Sequence, residues 1–252
     1  MSASTMPGAP RRIAVLLALG AAAYTAWAVE VLVATGLDPI EAYVSELAAT
    51  DQPLGGLFRA TDLVAGLLAL AGALLALFRL RQDRLRQNGL GLRQDGLGLR
   101  HDRPRRHPWA TTGWAALALF GAATAVDSRL PLSCAPTDDP VCAARETAGL
   151  VPATHTAHAV TSALAIAGAL VAIVALTVAA RRYGWWPPLA AFGPALVVAE
   201  LAATVWTLAS VAAFEAGKGT WALGAGQRLQ VLLIAVWIAV LAYALAQQEQ
   251  PG

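Results

Sequence analysis

Charge is what this chain lacks most. Only 13% of its 252 residues are Asp, Glu, Lys or Arg, where a soluble domain carries about a quarter. With 57% hydrophobic residues and a positive mean hydropathy, that shortage excludes an ordinary water-soluble domain. Period-two alternation over stretches of about ten residues is also missing, which excludes a transmembrane β-barrel. Histidine falls to four residues. His155 and His158, the two in an apolar region, sit at one helix end and cannot face each other across a haem. The one strongly basic stretch has no aromatic residue on which a base could stack, so nucleic-acid binding is not expected.

What remains is apolar sequence in runs of bilayer length, roughly 20 residues for about 30 Å of hydrocarbon. Six runs are present, at 13–35, 57–80, 109–126, 154–180, 188–214 and 229–246. Lipid offers the backbone no hydrogen-bond partner, so each run must be helical. The fold class read from the sequence is therefore all-α, a polytopic transmembrane bundle of six helices. Tails at 1–12 and 247–252 flank a membrane domain at 13–246, within which 81–107 reads as a flexible, arginine-rich loop. The first run is too long, and too interrupted by Trp27 and Glu30, for the hydrophobic part of a signal peptide; a retained helix is expected. Small residues let membrane helices approach, and two seams suggest themselves: Ala65, Ala69 and Ala73, then Ala159, Ala163 and Ala167.

Orientation follows from the arginines, because short cytoplasmic loops retain positive charge. Arg11 and Arg12, nine arginines between Arg79 and Arg106, and Arg181 and Arg182 all fall on one side of a six-helix chain. They make thirteen of the 18 basic residues. The opposite side holds Asp38, Glu41, Glu46, Asp51, Asp138, Asp139, Glu146 and Glu215. Both termini are thus expected in the cytoplasm, with the protein multi-pass in the plasma membrane and membrane lipids as its surroundings. Trp109, Trp185 and Trp186 fit an aromatic belt on the cytoplasmic side. Gly89 to Asp95 and Gly96 to Asp102 repeat a seven-residue unit whose two glycines disfavour a helix. Cys134 and Cys142, the only cysteines, share an outer loop and are expected to form a disulfide.

Ionisable residues inside a membrane are costly and mark sites. Glu30, Asp62, Glu200 and Arg228 are expected to face an inward polar cavity in the outer half of the bundle, with Asp127 and the histidines near them. An alternative holds that Glu30, Asp62 or Asp127 pairs with Arg228 or Arg59 to fix helix register. His155, His158 and Asp127 carry the donor types of a metal site. Its ion would be zinc, and two imidazoles with one carboxylate would leave a position for water. Glu46, Asp62 and Asp127 are the candidate catalytic carboxylates.

Ser45-Glu46-Leu47, Pro53, Phe58 and Asp62, then Gly121, Asp127 and Pro131, then His158 and Ser162 resemble the bacterial membrane family named domain of unknown function 998. The resemblance implies a six-helix fold and supplies no activity. That family is distantly similar to membrane hydrolases of the ceramidase type, which place a Ser, an Asp and three His around zinc. Ser45, Asp127, His155 and His158 would correspond; His101 and His107, in the basic loop, leave the third histidine without a counterpart. Three functions follow as expectations: binding or transport of a small molecule or lipid in the outer cavity, a metal-dependent membrane hydrolase, or a non-catalytic structural subunit.

Overall fold

A computed structural model describes residues 9–95 and 107–248, with side chains from 10–86 and 107–248. The described residues form seven α-helices and two 3₁₀ segments, with no strand among them. They are α1 (Ala9–Tyr24), α2 (Gly55–Asp95), α3 (Pro108–Asp127), α4 (Pro140–Thr147), α5 (Ala153–Tyr183), α6 (Pro187–Glu215) and α7 (Leu223–Gln247). The 3₁₀ segments cover Ala26–Leu32 and Val44–Ala48. Six helical stretches are long and apolar enough to cross a bilayer, the first being Pro10–Leu32, where α1 continues into the 3₁₀ segment. The protein is a multi-pass membrane protein.

Prolines set the helix starts. Pro108, Pro140 and Pro187 occupy first-turn positions, where the absent N–H would have no partner anyway. Asp139 caps α4 by accepting the Val141 amide at 2.8 Å. Gly184 closes α5 in the left-handed conformation at φ 68°, as only glycine does without strain.

The spanning helices neighbour one another in chain order, α1 to α2, α3, α5, α6 and α7, and α7 returns to α1. The core is mainly alanine, with Leu17, Leu117, Phe120, Leu176, Trp237 and Leu241 filling between. Ala65, Ala69 and Ala73 are buried as expected. Ala159, Ala163 and Ala167 are not; they face outward, and α5 packs instead through Ala165, Gly168, Ala169 and Ala172. Glycine makes the closest crossing: Gly66 of α2 and Gly121 of α3 face each other, and a Cβ on Gly121 would lie 2.5 Å from Leu70 N.

Two further expectations change. Helix α2 runs 41 residues to Asp95, about 60 Å, so 81–95 is helical rather than an irregular loop. The helix tolerates Gly89 and Gly91, each costing only about 1 kcal/mol. The second copy of the repeat, His101, and the tail residues 1–8 and 249–252 lie outside the described residues. Trp186, at the start of α6, is buried against the protein rather than turned outward. With Trp114, Trp185, Tyr183 and His107 it forms an aromatic cluster that ties the start of α3 to the α5–α6 turn.

At the opposite end, the loops before α2, between α3 and α5, and before α7 interlock. Thr50 N donates to Leu132 O at 2.9 Å, and Ala225 N to Ile40 O at 3.0 Å. Cys134 and Cys142 are joined by a disulfide, so this end is called the disulfide side.

Candidate functional site

A cavity of about 100 Å³ opens beneath the interlocked loops. That is room for several waters or a small headgroup. Its wall comes from five spanning segments and the 44–48 turn: Tyr24 and Trp27 from the first, Phe58, Thr61 and Asp62 from α2, Thr124 and Asp127 from α3. Ser162, Ala165 and Ile166 come from α5, Gln227, Gln230, Val231 and Ile234 from α7, and Val44 and Ser45 from the turn. Among the described residues no basic side chain lines it.

Asp127 organises one wall. It stands at the end of α3, and α5 brings Thr161, Ser162 and His158 against it. Thr161 Oγ1 donates to Asp127 Oδ1, and Ser162 Oγ donates to Oδ2 at 3.1 Å. His158 Nδ1 lies 3.1 Å from Asp127 Oδ1 and 3.1 Å from Leu130 O. Between two acceptors Nδ1 carries a proton, and in the neutral ring Nε2 is then an acceptor. Nε2 is 3.3 Å from Ser162 Oγ. Asp62, on the neighbouring helix α2, lines the same cavity and has no hydrogen bond or ion pair among the described residues.

Three polar atoms on lining residues are buried without a hydrogen-bond partner: Trp27 Nε1, Thr124 Oγ1 and Gln230 Oε1. Gln230 Nε2 is used, donating to Thr204 Oγ1 at 2.7 Å. Through that contact the wall reaches Glu200, which is fully buried, is 3.5 Å from Thr204 Oγ1, and has an unpartnered Oε2.

Other polar residues are organised elsewhere. Glu30 and Arg228 form a buried bidentate pair, Nε to Oε1 at 2.5 Å and Nη2 to Oε2 at 2.7 Å. Arg228 Nη1 also donates to Ala42 O at 2.7 Å. Neither residue lines the cavity, so of the four expected there Asp62 does and Glu200 connects only through Gln230. The pairing alternative holds for Glu30 with Arg228, whereas Arg59 donates to the Ala48 and Ala49 carbonyls.

The expected zinc set does not assemble. His155 turns into the disulfide-side loop, where Ser133 N donates to its Nδ1 at 3.1 Å, and its Nε2 faces Glu146 Oε1 at 3.3 Å out of hydrogen-bond alignment. His158 spends both nitrogens on Asp127, Leu130 and Ser162. Among the described residues no three His, Cys, Asp or Glu side chains are placed to hold a metal ion. Glu46, the candidate base, is buried outside the cavity, accepting from Thr137 N at 2.8 Å and from Thr137 Oγ1. Burial pushes its carboxyl up to about 7, although the Thr137 donors act the other way.

A family model described as a protein of unknown function, DUF998, matches residues 17–92 and 95–244. The chain belongs to the DUF998 family. No curated protein and no solved structure matches it. Within this DUF998 chain, sequence reading had marked Asp62, Asp127 and His158 for the site. It left out Thr124, and Ser162 as a partner of His158. The four-residue spacing of His158 and Ser162, which puts them on one helical face, was the available signal.

Proposed function

We propose that this membrane protein binds a small molecule or a lipid headgroup in the disulfide-side cavity, facing outward across the plasma membrane with its termini in the cytoplasm. One observation carries the reading: three buried hydrogen-bonding atoms on the wall have no partner in the protein. Buried polar groups are satisfied in folded proteins by protein, water or ligand. A donor at Trp27, a hydroxyl at Thr124 and an acceptor at Gln230, with the uncommitted Asp62 carboxylate, suit an occupant bearing both donors and acceptors. A cationic or neutral headgroup fits, because among the described residues the wall offers carboxylates and no basic side chain. The outward orientation rests on the arginine distribution.

Native mass spectrometry of protein extracted from membranes into mild detergent tests this. The expected result is a bound adduct on the wild type that is lost on Thr124→Leu, whose larger side chain enters the cavity, and weakened on Asp62→Asn. An adduct of the same mass and occupancy on all three would reject the cavity as the binding site.

A further inference from the structure

We propose that Ser162, His158 and Asp127 form a nucleophile, base and carboxylate set that hydrolyses an acyl ester or amide reaching the cavity. The inference goes beyond binding and requires no metal ion, and its serine is not Ser45. An activated nucleophile is recognised by a base within hydrogen-bond reach that is itself oriented by a third group. Here Ser162 Oγ is 3.3 Å from His158 Nε2, and His158 Nδ1 is 3.1 Å from Asp127 Oδ1. The distance to the serine is at the loose end of that reach, as is common without substrate.

The surroundings favour this over a helix clamp alone. His158 is only 8% exposed, and the Leu130 carbonyl and Asp127 together hold its proton on the nitrogen away from the serine. That is the tautomer a general base needs. Ser162 lines the cavity and is only half-buried. Its single proton has two acceptors, Asp127 Oδ2 and His158 Nε2. Thr161 also donates to Asp127, which leaves the carboxylate a hydrogen-bond donor when the serine proton moves to the imidazole. Trp27 and Thr124 line the same cavity and carry donors that no protein group uses; a small side-chain rotation toward an occupant would supply the type of group that stabilises an oxyanion. Ala165, Ile166, Val231 and Ile234 give the wall an apolar part, which suits an aliphatic acyl chain.

In the reaction Ser162 Oγ bonds to the acyl carbon as its proton passes to His158 Nε2. The bond from that carbon to the leaving oxygen or nitrogen breaks, and His158 returns the proton to the departing alcohol or amine. Water then attacks the acyl carbon as its proton passes to His158 Nε2; the bond from that carbon to Ser162 Oγ breaks, His158 returns the proton to Oγ, and the carboxylic acid leaves. Asp127 is a positioning residue for the imidazole.

The test uses the full chain in detergent with an alkyl fluorophosphonate, which phosphonylates activated serines. Peptide mapping should place the label on Ser162. Ser162→Ala should abolish it, and His158→Asn should slow it by about 100-fold or more. Both variants are compared with the wild type for an intact Cys134–Cys142 bond and an unchanged unfolding temperature. If either misfolds, the wild type with Ser162→Thr serves instead, since crowding at the oxygen should slow labelling without removing the hydroxyl. Absence of label on wild-type Ser162, or labelling of a folded His158→Asn at the wild-type rate, overturns the proposal. The native adduct on the wild type, and its loss on Thr124→Leu, are read separately from the labelling, so a failure of hydrolysis and a failure of binding are told apart.

Discussion

A buried charge is decided by its partner, and Glu30 with Arg228 shows how strongly. Their pair is bidentate, shielded from solvent, and supported by the Ala42 carbonyl. Removing one partner of such a pair costs roughly 3–5 kcal/mol, because the survivor keeps its charge without compensation. Arg228→Met should therefore lower the unfolding temperature sharply in detergent, while the double change with Glu30→Leu should recover most of the loss. A double variant no better than the single would refute the pair as the cause. Glu46 gives a pH effect of known sign. Its folded value near 7 lies above the ordinary 4.5, so the folded chain holds the proton more tightly than the unfolded one. Its contribution to stability is complete below about pH 4.5 and is lost as pH rises through about 7. Glu46→Gln should flatten the unfolding temperature against pH in that window; an unaltered slope would show that another group titrates there. Sequence reading identified these residues as needing explanation, but 198 residues separate Glu30 from Arg228, and no local pattern carries a pairing across that distance.

Helices were the legible level. Hydrophobic run length located all six spanning segments, because lipid leaves the backbone no other solution. Which face of each helix turns inward was less legible, since alanine is common on every side. Ala65, Ala69 and Ala73 pack inward while Ala159, Ala163 and Ala167 do not, and the sequences of the two stripes look alike. Glycine contact separates the faces better. A Cβ on Gly121 would press on the Leu70 amide at 2.5 Å and the Gly66 carbonyl at 2.7 Å, backbone atoms that cannot rotate away. Gly121→Val is expected to destabilise by about 1–3 kcal/mol or more, read as a lowered unfolding temperature. Gly56→Ala, whose added Cβ meets nothing nearer than Arg59 Nη2 at 3.8 Å, should be neutral or slightly stabilising. Equal effects from the two would dismiss the close crossing of α2 and α3. The extension of α2 to Asp95 was hidden by its glycines, whose propensity cost the rest of the helix outweighs.

Across the whole molecule the chain closes on itself, the last spanning helix packing against the first. The two ends of the bundle differ in charge, and the arginine-rich end carries the projecting part of α2. Reporter domains inserted after Gly96 and after Asp139 should give opposite signals, cytoplasmic for the first and external for the second. The same signal from both would refute the six-span topology, and swapped signals would reverse the orientation. Closure by Glu30 and Arg228 also has a consequence in time. At about 5–20 residues per second, the ribosome needs on the order of 10 to 40 s to travel from one to the other. Throughout that interval the newborn first segment holds an acid with no base, and must lodge where water or another protein shelters it. A nascent chain cut short before α7 should stay crosslinked to the insertion machinery and be degraded. The full chain should leave as Arg228 arrives, making the final helix a signal that synthesis is complete.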